Sequence, residues 1–119
     1  MVNFSNVDDV RESLAQLCLE PAHRIVAVDA GIERQRWRPY SVMHRATLGS
    51  FTDEGAWAHI ADLLRSDVDV DYKPPTSEFD DHAYVIIDEE DGFKNIYVKI
   101  ALCLKLKKVI GISFHYAEY

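Results

Sequence analysis

Two runs of alternating apolar and polar residues fill the stretch from Asn95 to Tyr119, which reads N-I-Y-V-K-I-A-L-C-L-K-L-K-K-V-I-G-I-S-F-H-Y-A-E-Y. Strict alternation predicts β-strands, and the short lysine-rich link between the runs predicts a hairpin. The apolar face is predicted to consist of Ile96, Val98, Ile100, Leu102 and Leu104 on the first strand and of Ile110, Ile112, Phe114 and Tyr116 on the second.

The opposite face of this hairpin carries four side chains that we call the polar patch: Tyr97, Lys99, Ser113 and His115. Cross-strand neighbours point to the same side of a sheet, so His115 is predicted to lie opposite either Tyr97 or Lys99. The small residues Ala101 and Gly111 are predicted to leave room beside the patch. The patch is either an acid–base site or the ordinary solvent face of an amphipathic hairpin.

The composition predicts one domain, residues 1–119, with enough apolar residues (48%) for a single core. No apolar run approaches the length needed to span a bilayer. The N-terminal residues M-V-N-F-S-N-V-D-D lack the features of a secretory signal, and Cys18 and Cys103 follow no metal or redox spacing. We therefore expect a soluble cytoplasmic protein that does not bind membranes.

The net charge of −7 is unevenly distributed, since ten acidic residues lie between Asp67 and Asp91 with Lys73 as the only lysine or arginine. A strongly acidic surface repels nucleic-acid phosphates, which argues against a general nucleic-acid binder. An enzyme with a local positive patch remains compatible with this charge. The segment from Asp67 to Asp81 is predicted to be an acidic loop.

An arginine cluster precedes the acidic stretch and consists of Arg34, Arg36, Arg38 and Arg45, interspersed with Trp37 and Tyr40. Such a cluster can bind RNA or an acidic partner. The alternative is a surface segment that the acidic loop neutralises.

The predicted fold class is α+β, with an N-terminal helix and a central helix packed on the apolar face of a C-terminal antiparallel β-meander. The N-terminal helix is predicted over residues 6–19 with Ser5 as its N-cap, and the central helix from an N-cap at Thr52 to about Arg65. The other predicted elements are a strand or extended segment at 23–30, a short helix at 41–49 and a strand at 84–87. The histidines show no ligand spacing and no glycine-rich phosphate loop is present, so neither a metal site nor a cofactor is predicted.

The order of several short motifs resembles the MqsR family of bacterial toxins over about residues 50–119. The motifs are Tyr72-Lys73, Asp81-His82, Ile96-Tyr97-Val98-Lys99-Ile100 and Ile112-Ser113-Phe114-His115. The resemblance implies a RelE-like fold and a metal-independent, ribosome-independent mRNA endoribonuclease that a cognate antitoxin neutralises. It implies catalytic roles for Lys73, Tyr97 and His115, and Lys99 and Ser113 are expected to bind the RNA phosphate.

An alternative function is a non-enzymatic acidic inhibitor, such as an immunity protein, an antitoxin or a phage decoy, that binds a basic protein partner. The net charge favours this alternative. So does the stretch from Ala83 to Ile86, which lacks the glutamine that the family has after its Asp-His pair. The polar patch favours the enzyme.

Overall fold

The computed structural model describes residues 3–33, 35–76 and 81–117 of the chain. In this part of the chain, two helices pack on one face of a mixed six-stranded sheet, which confirms the predicted α+β class. The helices are α1 (Val7–Leu19) and α2 (Asp53–Leu64). The strands are β1 (Arg24–Val26), β2 (Arg36–Trp37), β3 (Asp71–Lys73), β4 (His82–Asp88), β5 (Ile96–Cys103) and β6 (Lys108–Tyr116).

The sheet has the strand order β1-β6-β5-β4-β3, and β2 also pairs with β6. The four strands β3 to β6 pair antiparallel in chain order. The last three of them, β4 to β6, are the predicted meander. The short strands β1 and β2 both run parallel to β6 and share its outer edge. The N-terminal part of the chain therefore completes the sheet on the side opposite β3.

A β-bulge divides the predicted hairpin into two halves with different registers. Val98 lies opposite Phe114 and Lys99 opposite Ser113, but Ile100 lies opposite Gly111, so Ile112 is the extra residue. A bulge of this kind shifts the following side chains to the other face of the strand. The prediction that β6 keeps one apolar face throughout is therefore wrong.

The core residues of the hairpin are buried as predicted: Val98, Ile100, Ile110, Ile112 and Phe114 are each at most 4% exposed. They belong to two clusters rather than one. Val98, Ile100 and Phe114 pack with the helices, whereas Ile110 and Ile112 pack on the helix-free face with Ala27, Ala101 and Cys103. The connection after β1 covers this second cluster.

The space predicted beside the polar patch is filled. Ala101 is fully buried in the second cluster. Gly111 faces the helices, and the indole of Trp37 lies directly on it, so that an added Cβ would be only 2.6 Å from Cζ3 of that ring. Trp37 also packs against Trp57 of α2, with ring centroids 4.9 Å apart. The glycine is thus required for the close approach of β2 and the sheet.

Gly111→Ala is expected to lower the free energy of unfolding by about 1–3 kcal/mol, because the indole must move away from the sheet. The midpoint of urea denaturation measures this effect. Gly49→Ala is the matched control, since its Cβ would meet no atom closer than Oγ1 of Thr47 at 3.8 Å. Equal midpoints for the two variants would contradict the packing described here.

The two helices are joined through backbone carbonyls at the C-terminal end of α2. The guanidinium of Arg11 donates hydrogen bonds to the carbonyl oxygens of Leu64, Val68, Leu63 and Ser66, at 2.6, 2.8, 3.1 and 2.6 Å. Leu63 and Leu64 belong to the last turn of α2, and Ser66 and Val68 follow it. A cation interacts favourably with this end of the helix dipole. A single arginine on α1 therefore caps α2.

The helix starts agree only partly with the sequence analysis. Thr52 caps α2 as predicted, its hydroxyl accepting a hydrogen bond from the Gly55 amide at 2.9 Å. The helix ends at Leu64, next to its predicted end at about Arg65. At α1 the N-cap is Asn6, without a side-chain bond, while the Ser5 hydroxyl donates to Oδ1 of Asn3 instead. The prediction of Ser5 as the N-cap is therefore wrong.

Two further predicted elements differ from the structure. Residues 41–49 do not form a helix, because a β-bridge between Met43 and Ser50 closes a tight turn in which Leu48 has a φ of 63°. The acidic loop contains the edge strand β3, and Val68, Val70 and Tyr72 pack against the core. Residues 77–80 lie outside the described part of the chain. No helix in the described ranges has the length and apolar character needed to cross a membrane.

Candidate functional site

The polar patch lies on the helix-free face of the sheet, beyond the bulge. His115 is directly opposite Tyr97, and Ser113 is directly opposite Lys99, so one of the two predicted registers is correct. The bulge separates the patch from the second apolar cluster. Ser113 is buried, whereas Tyr97, Lys99 and His115 are half-buried with one side accessible to solvent.

Tyr97 and His115 form a stacked pair, with ring centroids 5.3 Å apart and planes inclined by 24°. Nδ1 of His115 is 2.7 Å from the carbonyl oxygen of Tyr116. Because a carbonyl oxygen only accepts, Nδ1 carries the hydrogen in this bond. The neutral imidazole therefore has its lone pair on Nε2, where it can accept a proton beside a phenol.

Cationic side chains flank this pair on the same face. Lys99 lies two residues after Tyr97 on β5, so both side chains are on the same face of the sheet. Arg36 of β2 lies opposite Ser113 and extends the row across the edge of β6. The lysine, the arginine and the serine hydroxyl can bind an anion. The neighbouring phenol and imidazole can then donate a proton to that anion or accept one from it.

Lys73 lies on the other side of the patch, on the edge strand β3. Its ammonium forms an ion pair with Oδ2 of Asp71 at 2.8 Å, and both side chains are exposed. The hydrogen bond and charge of Asp71 raise the pKa of Lys73, and the nearby Tyr97 contributes a smaller effect. The charge of Lys73 is thus largely balanced by Asp71, and its role toward RNA stays a prediction.

Two open cavities with opposite charge adjoin the stacked pair. The first, which we call the acidic groove, has a volume of about 870 Å³ and is lined by Asp69, Asp71, Glu89, Lys73 and Tyr97 together with four aliphatic side chains. The second, which we call the basic pocket, has a volume of about 630 Å³ and is lined mainly by Arg36, Arg38, Phe93, Lys94, His115 and Tyr116. Tyr97 borders one cavity and His115 the other.

Searches of family models, curated proteins and solved structures found no match to this chain. The functional assignment therefore depends on the geometry of the chain itself. Within the described ranges, no group of three or more histidine, cysteine or acidic side chains could hold a metal ion.

Tyr72 and His82 belong to the motifs that carry the family resemblance, but they lie on the opposite face of the sheet from the polar patch. The hydroxyl of Tyr72 is 2.6 Å from Nδ1 of His82. Phe4 stacks on the His82 ring at 4.5 Å, and its carbonyl accepts a hydrogen bond from Tyr84. This pair joins the segment before α1 to the sheet, and it does not reach the candidate site.

A buried ion cluster at the end of β4 was missed by the sequence analysis. Oδ2 of Asp88 is 2.6 Å from Nε2 of His59 and 2.9 Å from Nη1 of Arg45. Arg45 also donates to the carbonyl oxygens of Asp88 and Lys94. Burial alone would raise the pKa of Asp88, but the hydrogen bonds and charges of His59 and Arg45 outweigh it and lower the pKa below 3.8.

Two charged residues of this cluster were predicted to lie on the surface but are buried. Arg45 was predicted to belong to a surface arginine cluster and Asp88 to an acidic surface, but both side chains are about 10% exposed or less. The prediction is wrong for these two residues, because they neutralise each other inside the protein. Arg36 and Arg38 remain exposed, and Arg34 lies outside the described residues.

Proposed function

We propose that this protein is an endoribonuclease that cleaves single-stranded RNA at the polar patch. The observation that carries the proposal is the stacked Tyr97–His115 pair, in which the bond from Nδ1 to the Tyr116 carbonyl leaves Nε2 available for proton transfer. RNA cleavage without a metal needs a base for the 2′-hydroxyl, an acid for the leaving oxygen and cations at the phosphate. The patch supplies each of these groups.

The proposed reaction is an intramolecular transesterification. Nε2 of His115 accepts the proton of the 2′-hydroxyl as that oxygen attacks the phosphorus. The Tyr97 hydroxyl donates its proton to the 5′-oxygen as the phosphorus–oxygen bond breaks, while Lys99 and the Ser113 hydroxyl stabilise the charge on the phosphate oxygens. The products are a 2′,3′-cyclic phosphate and a free 5′-hydroxyl, and Lys73 assists phosphate binding from the groove side.

The resemblance to MqsR-like, RelE-like toxins supports this proposal, because it gives the same residues, Tyr97, His115 and Lys73, the same chemistry. In the cell, the protein would act in the cytoplasm as the toxin of a toxin–antitoxin pair, restrained by a cognate antitoxin. Induced expression is then expected to slow growth, and co-expression of the neighbouring reading frame to restore it.

The direct test is incubation of purified protein with a single-stranded RNA in the presence of EDTA. Cleavage products that end in a 2′,3′-cyclic phosphate would support the proposal. Intact RNA over a range of protein concentrations, together with normal growth on induction, would refute it. Mass spectrometry of the product ends distinguishes this chemistry from hydrolysis by a metal-dependent nuclease.

A second candidate function follows from the charge of the acidic groove. Asp69, Asp71 and Glu89 are exposed around it, and Asp67 and Asp91 extend the negative surface. Such a surface fits a basic protein partner, as an immunity protein, antitoxin or phage decoy would need. In that case, the groove rather than the polar patch is the functional surface.

If the acidic groove binds a basic partner, the affinity is expected to fall steeply with added salt. Exposed charges are screened over about 8 Å at physiological ionic strength, so raising the salt concentration weakens their attraction. A titration by isothermal calorimetry at several salt concentrations measures this dependence. An affinity that stays constant across the titration would rule out the groove as an electrostatic docking surface.

A further inference from the structure

The basic pocket differs from the acidic groove in that its lining among the described residues includes three cationic side chains and no carboxylate. Arg36 belongs to β2, Arg38 directly follows that strand, and Lys94 lies in the turn before β5. His115, half of the stacked pair, forms the wall toward the polar patch. An anion in this pocket would therefore lie next to the proposed reaction centre.

The position of Arg38 is fixed by the sheet. Its amide donates a hydrogen bond to the carbonyl oxygen of Phe114 at 3.0 Å, which continues the pairing of β2 with β6 by one residue. The next residue, Pro39, is buried and starts a 3₁₀ turn. The backbone of Arg38 is thus held on both sides while its side chain is exposed at the pocket.

Aromatic rings also line the pocket. The Tyr116 hydroxyl accepts a hydrogen bond from the Met43 amide at 3.0 Å, which fixes the ring, and Nζ of Lys94 lies 5.4 Å from the ring centroid. Phe93 is half-buried next to Asn95. Aromatic surfaces beside cations are typical of sites that stack bases and bind the phosphates of single-stranded nucleic acids.

We propose that the basic pocket binds one nucleotide of a single-stranded RNA, immediately next to the phosphate held at Tyr97 and His115. Arg36 and Arg38 contact its phosphate, and Phe93 offers a surface for its base. That the neighbouring phosphate is cleaved rests on the proposed function, whereas the binding of a nucleotide in the pocket does not depend on it. The RNA thus enters from the β2 edge of the sheet and meets the acidic groove only at Tyr97 and Lys73.

The test uses a fluorescein-labelled 2′-O-methyl RNA tetranucleotide, which has no 2′-hydroxyl to react and so reports binding alone. Fluorescence anisotropy with the 119-residue protein is expected to give a dissociation constant that is about tenfold higher for Arg38→Ala, and similarly higher for Arg36→Ala. The slope of log affinity against log salt is expected to decrease by about 0.7 in each variant, the value for one lost contact to a single strand.

Lys105→Ala is the matched control, because it removes the same charge from the exposed turn between β5 and β6. Its affinity is expected to stay within about twofold of the unmutated protein. Equal losses in all three variants would overturn the proposal, as would no binding of the tetranucleotide at low salt. Equally tight competition by a polyglutamate peptide or by inorganic polyphosphate would also overturn it, since the pocket would then recognise charge alone.

The two proposals fail in distinguishable ways. Loss of tetranucleotide affinity in Arg38→Ala without any RNA cleavage by the unmutated protein would support the pocket and refute the nuclease. RNA cleavage with unchanged affinity in both arginine variants would support the nuclease and refute the pocket.

Discussion

Replacing His115 by alanine is expected to lower the rate of RNA cleavage by about a hundredfold or more, the usual effect of losing one positioned acid or base. Tyr97→Phe, which removes only the hydroxyl, is expected to have a similar effect. Both side chains lie on the helix-free face and are half-exposed, so the variants should keep the circular dichroism spectrum and the denaturation midpoint of the unmutated protein.

Matched controls for these two variants are His23→Ala and Tyr40→Phe, since both side chains are exposed and neither lines the polar patch, the acidic groove or the basic pocket. Cleavage rates from a fluorogenic RNA separate the four variants. If His115→Ala and His23→Ala cleave equally fast, the activity does not come from the stacked pair.

Asp88→Asn is expected to lower the free energy of unfolding by about 1–3 kcal/mol at neutral pH, because it leaves His59 without its carboxylate partner and Arg45 with only the more distant carboxylate of Glu90, at 3.3 Å. Urea denaturation measures the change. Asp91→Asn is the matched control, since it changes the same side chain on the exposed turn after β4. Similar midpoints for both variants would show that the buried cluster does not stabilise the fold.

The contribution of Asp88 also depends on pH, and its sign follows from the lowered pKa. The folded protein releases the Asp88 proton more readily than the unfolded chain, so the stabilisation is complete above the ordinary value of 3.8. It is lost as the pH falls through the lower pKa of the folded state. The difference in stability between Asp88→Asn and the unmutated protein is therefore expected to shrink as the pH falls below 3.8.

Periodicity predicted the parts of the fold that have a regular pattern over many residues. The alternation from Ile96 to Tyr116 gave the hairpin, and the stripe that includes Trp57 and Ile60 gave α2. The bulge at Ile112 was not predicted, because β6 is buried on both faces from Val109 to Ile112 and a change of face leaves no polar residue in the core. The strand β1 lies within the extended segment predicted at 23–30, whereas β2 has only two residues and is too short to carry a periodic signal.

The candidate site was predictable only where side chains share one strand face. Pairing rules alone brought His115 to Tyr97 or Lys99, since neighbours on adjacent strands must face the same way. The sequence could not predict that Arg38 is exposed and Arg45 is buried. Nothing in the sequence distinguishes two arginines of one segment, because only the tertiary structure buries one of them. Arg11 was missed for a similar reason, since its carbonyl partners are more than fifty residues away in the chain.

The pairing of β1 and β2 with the outer edge of β6 has a consequence for the order of folding. Arg24 and Val109 are neighbours in the sheet but distant in the chain, whereas β3 to β6 pair with their sequence neighbours. Because distant pairings lose more chain entropy, the meander is expected to form before its edge is closed. Until then the β6 edge could pair with another chain and aggregate. The strands β1 and β2 thus protect the last strand, and β2 brings Arg36 to the polar patch only when folding is nearly complete.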